Sequence, residues 1–422
     1  MTPALSPLSP LNPLNNDPVF PRRDALLDPH QVGAYLSARL QWRQVTRAER
    51  VRTTYRTGDS LRVLHRFEAD GRVHAVSARA FRDGRSARAL DKALASGEVL
   101  DAGVVHGEPF EAVFWLFPSD RRLPALKRIE QARQALSARL PRQWAGSRLV
   151  TWAPENRATF ACLDPSGEVF AYAKVGPGST TERQLYAALH EALAATGIPL
   201  RVPRALAFSE DHDTIVLDRV AGRRLAFTPG DMRGMGRALA HLHGLPLHGL
   251  PAYDRCTAAS CRAAADLVIG AVPQVAGLIE TLARELDRRG CPAAASGCLH
   301  GDVHPKNALA DDSAVGLIDV EEMAWGARAA DLGSLLARLC SARALELETA
   351  ERVHRAAMAL LDGYASIAPL PGMPELRWYL AAAMLVERAQ RAVTRLNALA
   401  LAHLDRLVAE GLRLLDAEGV GL

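Results

Sequence analysis

The spacing of hydrophobic and polar residues changes character about halfway along the chain. From about residue 31 to 223, short alternating stretches lie between Gly, Pro and Asp residues, which is the pattern of β-strands joined by tight turns. Beyond Gly222 the hydrophobic spacing becomes helical, and it runs through 231–243, 263–289, 329–345, 347–361, 375–395 and 398–415. The sequence therefore predicts a small sheet region followed by a mainly helical region.

The sheet region contains two similar segments. The segments that begin at Tyr55 and Thr151 each predict a strand, a turn that contains glycine, and a second strand. Gly71 matches Gly167 at an offset of 96 residues, and a helix-like stretch follows each segment. This pattern predicts two related α+β units in tandem.

Composition and charge exclude several classes of protein. Of the 422 residues, 49% are hydrophobic and 23% are charged, and none of the uncharged stretches is long and apolar enough to span a bilayer. The first residues lack the basic start and apolar run of a secretory signal, and six cysteines without a CxxC pair are typical of reduced thiols. A net charge of +4 is too small to indicate nucleic-acid binding. We expect a cytoplasmic protein without a membrane or nucleic-acid partner.

Lysine is rare in this chain, since 47 of its 51 basic residues are arginine. Lys174 therefore stands out in the apolar strand sequence AYAKV. No Gly-Lys dipeptide occurs, so the sequence contains no Walker-type phosphate loop. Charge is unevenly divided: residues 226–422 carry 19 basic and 23 acidic side chains, and residues 1–225 carry a net charge of +8.

The candidate chemistry lies in HGDVHPKNALADDSAVGLIDVEE, which begins at His300. Asp302 lies in a predicted loop between a helical segment and short apolar stretches, and a short hairpin is predicted over residues 308–318. Because a hairpin brings its two ends together, Asn307 and Asp319 should face one point with Asp302 nearby. Carboxylate and amide oxygens suit magnesium and phosphate, and a carboxylate free of metal can hold a hydroxyl group for in-line attack.

The run HGDVHPKN followed by IDVEE resembles the HGDxHxxN and IDxE pattern of the aminoglycoside phosphotransferase and choline kinase-like superfamily. The resemblance covers about residues 150–422. It implies an α+β, two-lobed protein-kinase-like fold, with a small antiparallel-sheet N-lobe and a mainly helical C-lobe. It also implies ATP and Mg²⁺ as cofactors and a phosphotransferase activity. There is no DFG or APE segment, so the expected acceptor is the hydroxyl group of a small molecule rather than a protein.

With this resemblance the chain divides into four expected parts. They are a Pro-rich disordered arm over 1–30, an N-terminal α+β domain over 31–140, a kinase-like N-lobe over 141–223, and a helical C-lobe with the catalytic loop and substrate site over 224–422. The domain over 31–140 is expected to be a degenerate, N-lobe-like cap. Whether it caps, dimerises or recruits a partner is left open, as is the oligomeric state.

The resemblance also implies roles for single residues of the helical part. Asp302 is the catalytic aspartate, and Asn307 and Asp319 are the metal ligands. Residues expected to support the loop structurally are His300, His304 and Asp331.

The sheet part is expected to bind the nucleotide. Lys174 is the phosphate-clamping lysine, and its carboxylate partner is Glu182, with Glu191 as the alternative. The loop around Asn156 is expected to cover the phosphates, and Arg219 lies where the hinge would meet the adenine.

Net charge is the one feature of the sequence that bears on the identity of the acceptor. The net negative charge of the helical half favours a cationic acceptor, such as an aminoglycoside or another aminated metabolite. Two alternatives stay open at this point: a sugar kinase of the maltokinase-like type, and a nucleotide-binding pseudokinase or regulatory module.

Overall fold

A computed structural model of the chain describes residues 14–417, except residue 83 and residues 96–102, 292–294 and 312–313. Contacts within the chain define two compact units. The first takes in residues up to Thr180 together with Leu206–Leu217 and Val393–Leu396, and the second takes in Thr181–Ala205, Asp218–Ala392 and the residues from Asn397 onward. These units do not follow the four expected parts, and that division of the chain stays a prediction.

The first unit contains two five-stranded sheets with the same strand order. The strands of the first sheet are β1 (Val45–Arg56), β2 (Ser60–Ala69), β3 (Arg72–Ala80), β4 (Val104–Gly107) and β5 (Ala112–Leu116), in the order β1-β2-β3-β5-β4. The strands of the second sheet are β6 (Gly146–Ala153), β7 (Arg157–Leu163), β8 (Val169–Val175), β9 (Ala205–Ser209) and β10 (Thr214–Asp218), in the order β6-β7-β8-β10-β9. The mixed α+β fold expected from the sequence is confirmed.

Turn residues set the register of both sheets. Asp70 and Gly71 join β2 to β3 with φ angles of 50° and 73°, which is the backbone that a two-residue hairpin requires. The connections between β1 and β2 and between β6 and β7 have three residues each, since Arg56 pairs with Ser60 and Ala153 pairs with Arg157. The two sheets can therefore be compared position by position.

One hydrophobic core serves both sheets of the first unit. It includes Leu64 of β2, Leu126 of the segment after β5, and Trp144, Trp152 and Phe160 around the second sheet. Trp144 is fully buried, and its indole N–H donates to the carbonyl of Gly146 at 2.9 Å. Because these side chains pack together, the predicted boundary near residue 140 does not coincide with a break in packing.

The disordered arm predicted over 1–30 is wrong for residues 14–30. Phe20 is buried, and the buried carboxylate of Asp17 accepts hydrogen bonds from the Tyr55 hydroxyl at 2.7 Å and the Gly58 amide at 2.9 Å. Residues 1–13 lie outside the described residues. The helices up to the second sheet are α1 (Arg23–Leu27), α2 (Pro29–Leu40), α3 (Ser86–Ala95) and α4 (Ile129–Ser137).

The second unit is mainly helical, as the sequence predicts. Its helices are α5 (Ser179–Thr196), α6 (Pro229–His243), α7 (Ala258–Ala271), α8 (Ala276–Arg289), α9 (Ala329–Ala344), α10 (Ala350–Ala365), α11 (Met373–Ala383), α12 (Gln390–Thr394), α13 (Ala398–Ala402) and α14 (Leu404–Asp416). The helix predicted over 263–289 is split into α7 and α8 because Pro273 begins a short 3₁₀ turn between them. None of the helices in the described residues is long and apolar enough to cross a membrane.

Short strands place the predicted motif within the second unit. Strands β11 (Arg223–Arg224), β13 (Ala308–Ala310) and β14 (Val315–Leu317) form one small sheet, and β12 (Ser296–Leu299) pairs with β15 (Ala324–Ala327) in another. A π-helical segment, Met384–Ala389, separates α11 from α12. The motif residues therefore follow β12 and surround β13 and β14.

Candidate active site

The catalytic loop begins where β12 ends, and a buried carboxylate fixes its start. Asp331, near the beginning of α9, accepts hydrogen bonds from the backbone amides of His300 at 2.7 Å and Gly301 at 3.1 Å. The side chain of His243 also donates to Asp331 at 3.2 Å, and the Tyr364 hydroxyl donates to the other ring nitrogen of His243 at 2.9 Å. Burial alone would raise the pKa of Asp331, but these donors and the nearby histidines lower it, so the carboxylate is ionised.

Gly301 cannot be replaced by a larger residue without moving the loop. Its φ angle is +78°, and a Cβ atom at this position would lie 1.9 Å from the carbonyl oxygen of Glu322. The glycine therefore lets the backbone turn sharply and brings Asp302 into position directly after the fixed amides.

The short hairpin predicted after the loop is confirmed. Strands β13 and β14 are antiparallel, with Ala308 opposite Leu317 and Ala310 opposite Val315. The Ile318 amide donates to the carbonyl of Asn307 at 2.9 Å, so Asn307 and the residue after Ile318, Asp319, stand at the same end of the hairpin.

The polar side chains at this end of the hairpin are held in different ways. The Asn307 side-chain amide donates to the backbone carbonyl of Asp302 at 3.0 Å, and Asn307 is buried. Asp319 is exposed and has a φ angle of 58°, a conformation that is uncommon for residues other than glycine and that clusters at functional sites. Asn307, Asp319 and Asp302 are thus brought together by the loop and the hairpin.

The two histidines of the motif brace the loop. The buried His300 ring makes a 3.0 Å hydrogen bond with the carbonyl of Ile318, which ties the loop to the hairpin. The His304 ring accepts from the Lys306 amide at 3.0 Å and so caps the short helical turn that carries Asn307. Burial, followed by the neighbouring arginine Arg338, lowers the pKa of His304 to about 4, so its ring is neutral at pH 7.

Asp302 lies among basic groups. Its Oδ1 atom is 3.7 Å from a guanidinium nitrogen of Arg255 and 3.7 Å from one of Arg391, and its Oδ2 atom is 3.9 Å from the His304 ring. Burial would raise the pKa of Asp302, but His304 and the arginines lower it overall. The carboxylate is therefore ionised at neutral pH and can accept a hydrogen bond from a hydroxyl group.

The residues expected to bind the nucleotide belong to both units. Lys174 is buried near the end of β8 in the first unit. In the second unit Glu182 is buried in the first turn of α5, whereas Glu191 is exposed on the same helix. Arg219 is exposed directly after β10.

The turn between β6 and β7 carries Asn156 and is held by its other residues. Asn156 is exposed at the tip, while the neighbouring Glu155 side chain is only 5% exposed. Three guanidinium groups bind the Glu155 carboxylate: Arg62 at 2.9 Å, Arg79 at 2.8 Å and Arg121 at 2.6 Å. We call these four residues the Glu155 cage.

A second carboxylate, Asp120, fixes the backbone of the same turn. It accepts from the Glu155 amide at 2.9 Å and from the Trp152 indole N–H at 2.9 Å. The turn that is expected to cover the nucleotide phosphates is therefore fixed by the first sheet and the segment after it.

Asn307 and Asp319 form a donor set that fits a magnesium ion. An amide oxygen and a carboxylate are hard oxygen ligands, and Mg²⁺ is usually held by one or two such groups together with substrate phosphates. Among the described residues, no group of three or more His, Cys, Asp or Glu side chains is arranged to hold a metal ion. A protein-only metal cage, as in a zinc hydrolase, is absent from this part of the chain.

The sequence did not reveal two groups of residues at this site. His243 and Tyr364 lie at the ends of two helices that are distant in sequence. The sequence HLHG indicates only that His243 lies near a helix end, and no pattern points to Tyr364. The arginines around Asp302 gave no signal at all, because 47 arginines spread along the chain hide any particular set.

Comparisons with known proteins place this geometry in a family. The family model described as the phosphotransferase enzyme family matches residues 155–379. A comparison with curated protein sequences finds no match.

One solved structure shares the fold, and two others are more distantly similar to this chain. The structure of a microcompartment-associated aminopropanol kinase is 19% identical with a TM-score of 0.51, over 69% of this chain and 99% of that one. A choline/ethanolamine kinase family protein from Mesorhizobium loti is 16% identical with a TM-score of 0.45, over 68% of this chain and 95% of that one. An aminoglycoside phosphotransferase from Streptomyces rimosus is 20% identical with a TM-score of 0.40, over 60% of this chain and 96% of that one. With more than half of its residues matched by the family model, the chain belongs to the phosphotransferase enzyme family, and the family and enzyme class predicted from HGDVHPKN and IDVEE are confirmed.

Proposed function

We propose that the protein is an ATP- and magnesium-dependent O-phosphotransferase that acts on a hydroxyl group of a small molecule, with Asp302 as its catalytic aspartate. The observation that carries the proposal is the end of the β13–β14 hairpin. There Asn307 donates to the backbone of Asp302, and the Ile318–Asn307 hydrogen bond sets Asp319 beside it. Two oxygen ligands for a metal and a separate ionised carboxylate are the parts that phosphoryl transfer needs.

Asp302 holds the acceptor hydroxyl and takes its proton. Its lowered pKa keeps it ionised, so it accepts the hydrogen bond that aims the hydroxyl oxygen at the phosphorus atom. Asn307 and Asp319 would hold Mg²⁺, which neutralises phosphate charge when bound. Lys174 would bind nucleotide phosphates with Glu182 as its partner, the turn at Asn156 would cover them, and backbone near Arg219 would meet the adenine.

The acceptor class is the least specified part of the proposal. An aminated acceptor was expected from the charge of residues 226–422, and a sugar is the alternative among kinases. The charge nearest Asp302 is a better guide than the charge of half a chain, because screening limits the reach of exposed charges to about 10 Å at ordinary salt.

The test is phosphorus NMR of MgATP with the purified chain and a panel of aminoglycosides, sugars, amino alcohols and hydroxy acids. A new phosphoester resonance is expected with the wild type and with Asp405→Asn, a matched change at an exposed carboxylate on α14. Asp302→Asn should bind MgATP normally and give no product.

Two results would contradict the proposal. If the wild type does not bind MgATP, ATP is not its phosphate donor. Binding of MgATP without transfer to any member of the panel would favour the regulatory module, with residues 31–140 as the surface to examine next.

A further inference from the structure

Three arginines of the second unit lie close to Asp302 and a fourth adjoins them, and the proposed function does not use any of the four. Arg255 precedes α7, Arg338 lies on α9, Arg388 lies in the π-helical segment and Arg391 lies on α12. We call these four residues the arginine cluster. Arg255 and Arg391 each approach Asp302 to 3.7 Å, and Arg255 also donates to the carbonyl of Gly301. Arg338 donates to the carbonyl of Val303, the residue after Asp302, at 3.4 Å.

The positive charge of the cluster is not balanced by the carboxylates that face it. Among the residues that the structure describes, those carboxylates are Asp302, Glu387 and Glu322, so four guanidinium groups meet three carboxylates. Glu322 is largely exposed at 65%, and it therefore compensates little because water screens it. Asp302 is needed for the acceptor hydroxyl. The cluster thus has a surplus of positive charge at the point where the acceptor would lie.

Two buried donors of the cluster have no hydrogen-bond partner among the described residues. They are Nη2 of Arg338 and Nε of Arg388. Burial, and then repulsion by Arg338, lowers the pKa of Arg388 to about 9, so the group still carries its charge at pH 7. Unpaired buried donors are costly and rare, and a bound ligand is one way in which they are satisfied. Oε1 of Glu387 is also buried without a partner, but Arg388 lies 3.2 Å from the same carboxylate and offsets its charge.

The backbone that carries Arg388 is itself unusual. The segment Met384–Ala389 is π-helical between the regular helices α11 and α12. π-helical turns are rare and occur frequently at functional sites. Arg391, which approaches Asp302, lies two residues after this segment. A rare turn beside an arginine that approaches Asp302 favours a ligand site at this position.

We propose that the acceptor carries an anionic group, a carboxylate or a phosphate ester, which the arginine cluster binds while the acceptor hydroxyl lies on Asp302. Guanidinium groups bind both anions through paired N–H donors, which also fixes the orientation of the molecule. A cationic acceptor would meet repulsion from Arg255 and Arg391. The inference rests on the proposed function, and it replaces the aminated acceptor expected from net charge.

The transfer step keeps its atoms and charges in balance. The acceptor hydroxyl oxygen forms a bond to the γ-phosphorus of ATP, and the bond from that phosphorus to the bridging oxygen of ADP breaks. The hydroxyl proton passes to Asp302 and then to solvent. The products are ADP and an acceptor that carries two anionic groups.

The test compares acceptors that differ only in the charge of one group. The first set is glycerate, glycerol and 3-amino-1,2-propanediol, and the second is glucose 6-phosphate, glucose and 6-amino-6-deoxyglucose. Release of ADP from MgATP is measured for each compound with the full chain. We expect transfer to glycerate if the cluster binds a carboxylate, or to glucose 6-phosphate if it binds a phosphate ester. Within the set that reacts, kcat/KM should be at least tenfold lower for the neutral and cationic compounds.

The matched variants are Arg391→Gln and Arg355→Gln, the second changing an exposed arginine on α10 that pairs only weakly with Glu351. Loss of one charge-assisted contact should raise the acceptor KM about 10- to 100-fold in Arg391→Gln and leave the KM for MgATP unchanged. Arg355→Gln should behave as the wild type. A general loss of folding would instead move both KM values and the melting temperature.

Three results would overturn the inference. One is transfer to glycerol, glucose or their amines that matches transfer to the anions. Another is an acceptor KM that Arg391→Gln does not change. If MgATP binds but none of the six compounds reacts, calorimetry with malonate and inorganic phosphate decides: binding that Arg391→Gln abolishes supports the inference, and binding that it leaves intact refutes it. Failure of the wild type to bind MgATP would instead refute the proposed function.

Discussion

Replacing Glu155 by glutamine should destabilise the first unit by about 2–4 kcal/mol at pH 7. Glu155 accepts from Arg62, Arg79 and Arg121 at 2.6–2.9 Å, and its side chain is 5% exposed. Removing one partner from a buried charged network costs about 3–5 kcal/mol. The arginines are 24–38% exposed and remain partly hydrated, so a value below that range is expected.

The destabilisation should depend on pH in a defined direction. Burial alone would raise the pKa of Glu155, but Arg121, Arg62 and Arg79 hold it below its ordinary value. A carboxyl group whose pKa is lower in the folded state stabilises the fold above its unfolded pKa, and that stabilisation is lost as the pH falls through the folded value. The difference between wild type and Glu155→Gln should therefore be constant above about pH 5 and shrink below about pH 4.3.

Urea unfolding at several pH values, with hydrogen exchange of the amides at residues 153–157, measures the effect. Glu410→Gln is the control, because Glu410 on α14 is also held by two arginines, Arg343 and Arg413. It should leave exchange at 153–157 unchanged. A loss of less than 1 kcal/mol in Glu155→Gln, or a loss that is as large at pH 3.5 as at pH 7, would show that the cage does not fix this turn.

Three further predictions follow from the site. Asp302→Asn should lower kcat by about 10²-fold or more with an unchanged Kd for MgATP, and a parallel loss of nucleotide binding in calorimetry would contradict its role. Lys174→Ala should raise the KM for MgATP at least tenfold, whereas Lys92→Ala, on the exposed face of α3, should leave it unchanged. Equal kinetics for the two variants would exclude a role for Lys174 in binding the nucleotide phosphates. Asp331→Asn should lower the free energy of unfolding by about 2–4 kcal/mol, because the amides of His300 and Gly301 lose a charged acceptor, and chemical denaturation without such a loss would refute this.

The parts of the fold that the sequence predicted depend on local pattern. The hairpin over 308–317 and helix α6 follow from hydrophobic spacing and nearby turn and cap residues, so a single pass along the chain finds them. The candidate catalytic loop could be proposed from the sequence because HGD and the following Asn and Asp are close together along the chain. The two sheets were anticipated because glycine turns recur at a fixed offset.

The rest depends on contacts between distant positions. The cage joins Glu155 to residues 34 to 93 positions away, and no local period records such a pairing. Arg338 and Arg391 reach one loop from different helices, and nothing in either helix distinguishes them from other surface arginines. The helical arm at 14–30 was missed because the prolines there were interpreted as disorder, whereas Pro29 begins helix α2 behind the cap residue Asp28.

The shared strand order of the two sheets has a consequence for how the first sheet is used. Counting from the matching three-residue turns, Arg62 and Thr159 occupy the same place, and their cross-strand partners are Arg79 and Lys174. Arg79 is thus the positional counterpart of the lysine to which the proposed function gives the nucleotide phosphates. The anion that Arg79 holds is the Glu155 carboxylate, supplied by the turn of the second sheet. The position to which the proposed function gives a diffusible substrate in the second sheet binds a covalently attached side chain in the first sheet, so a nucleotide could reach Arg79 only by displacing Glu155.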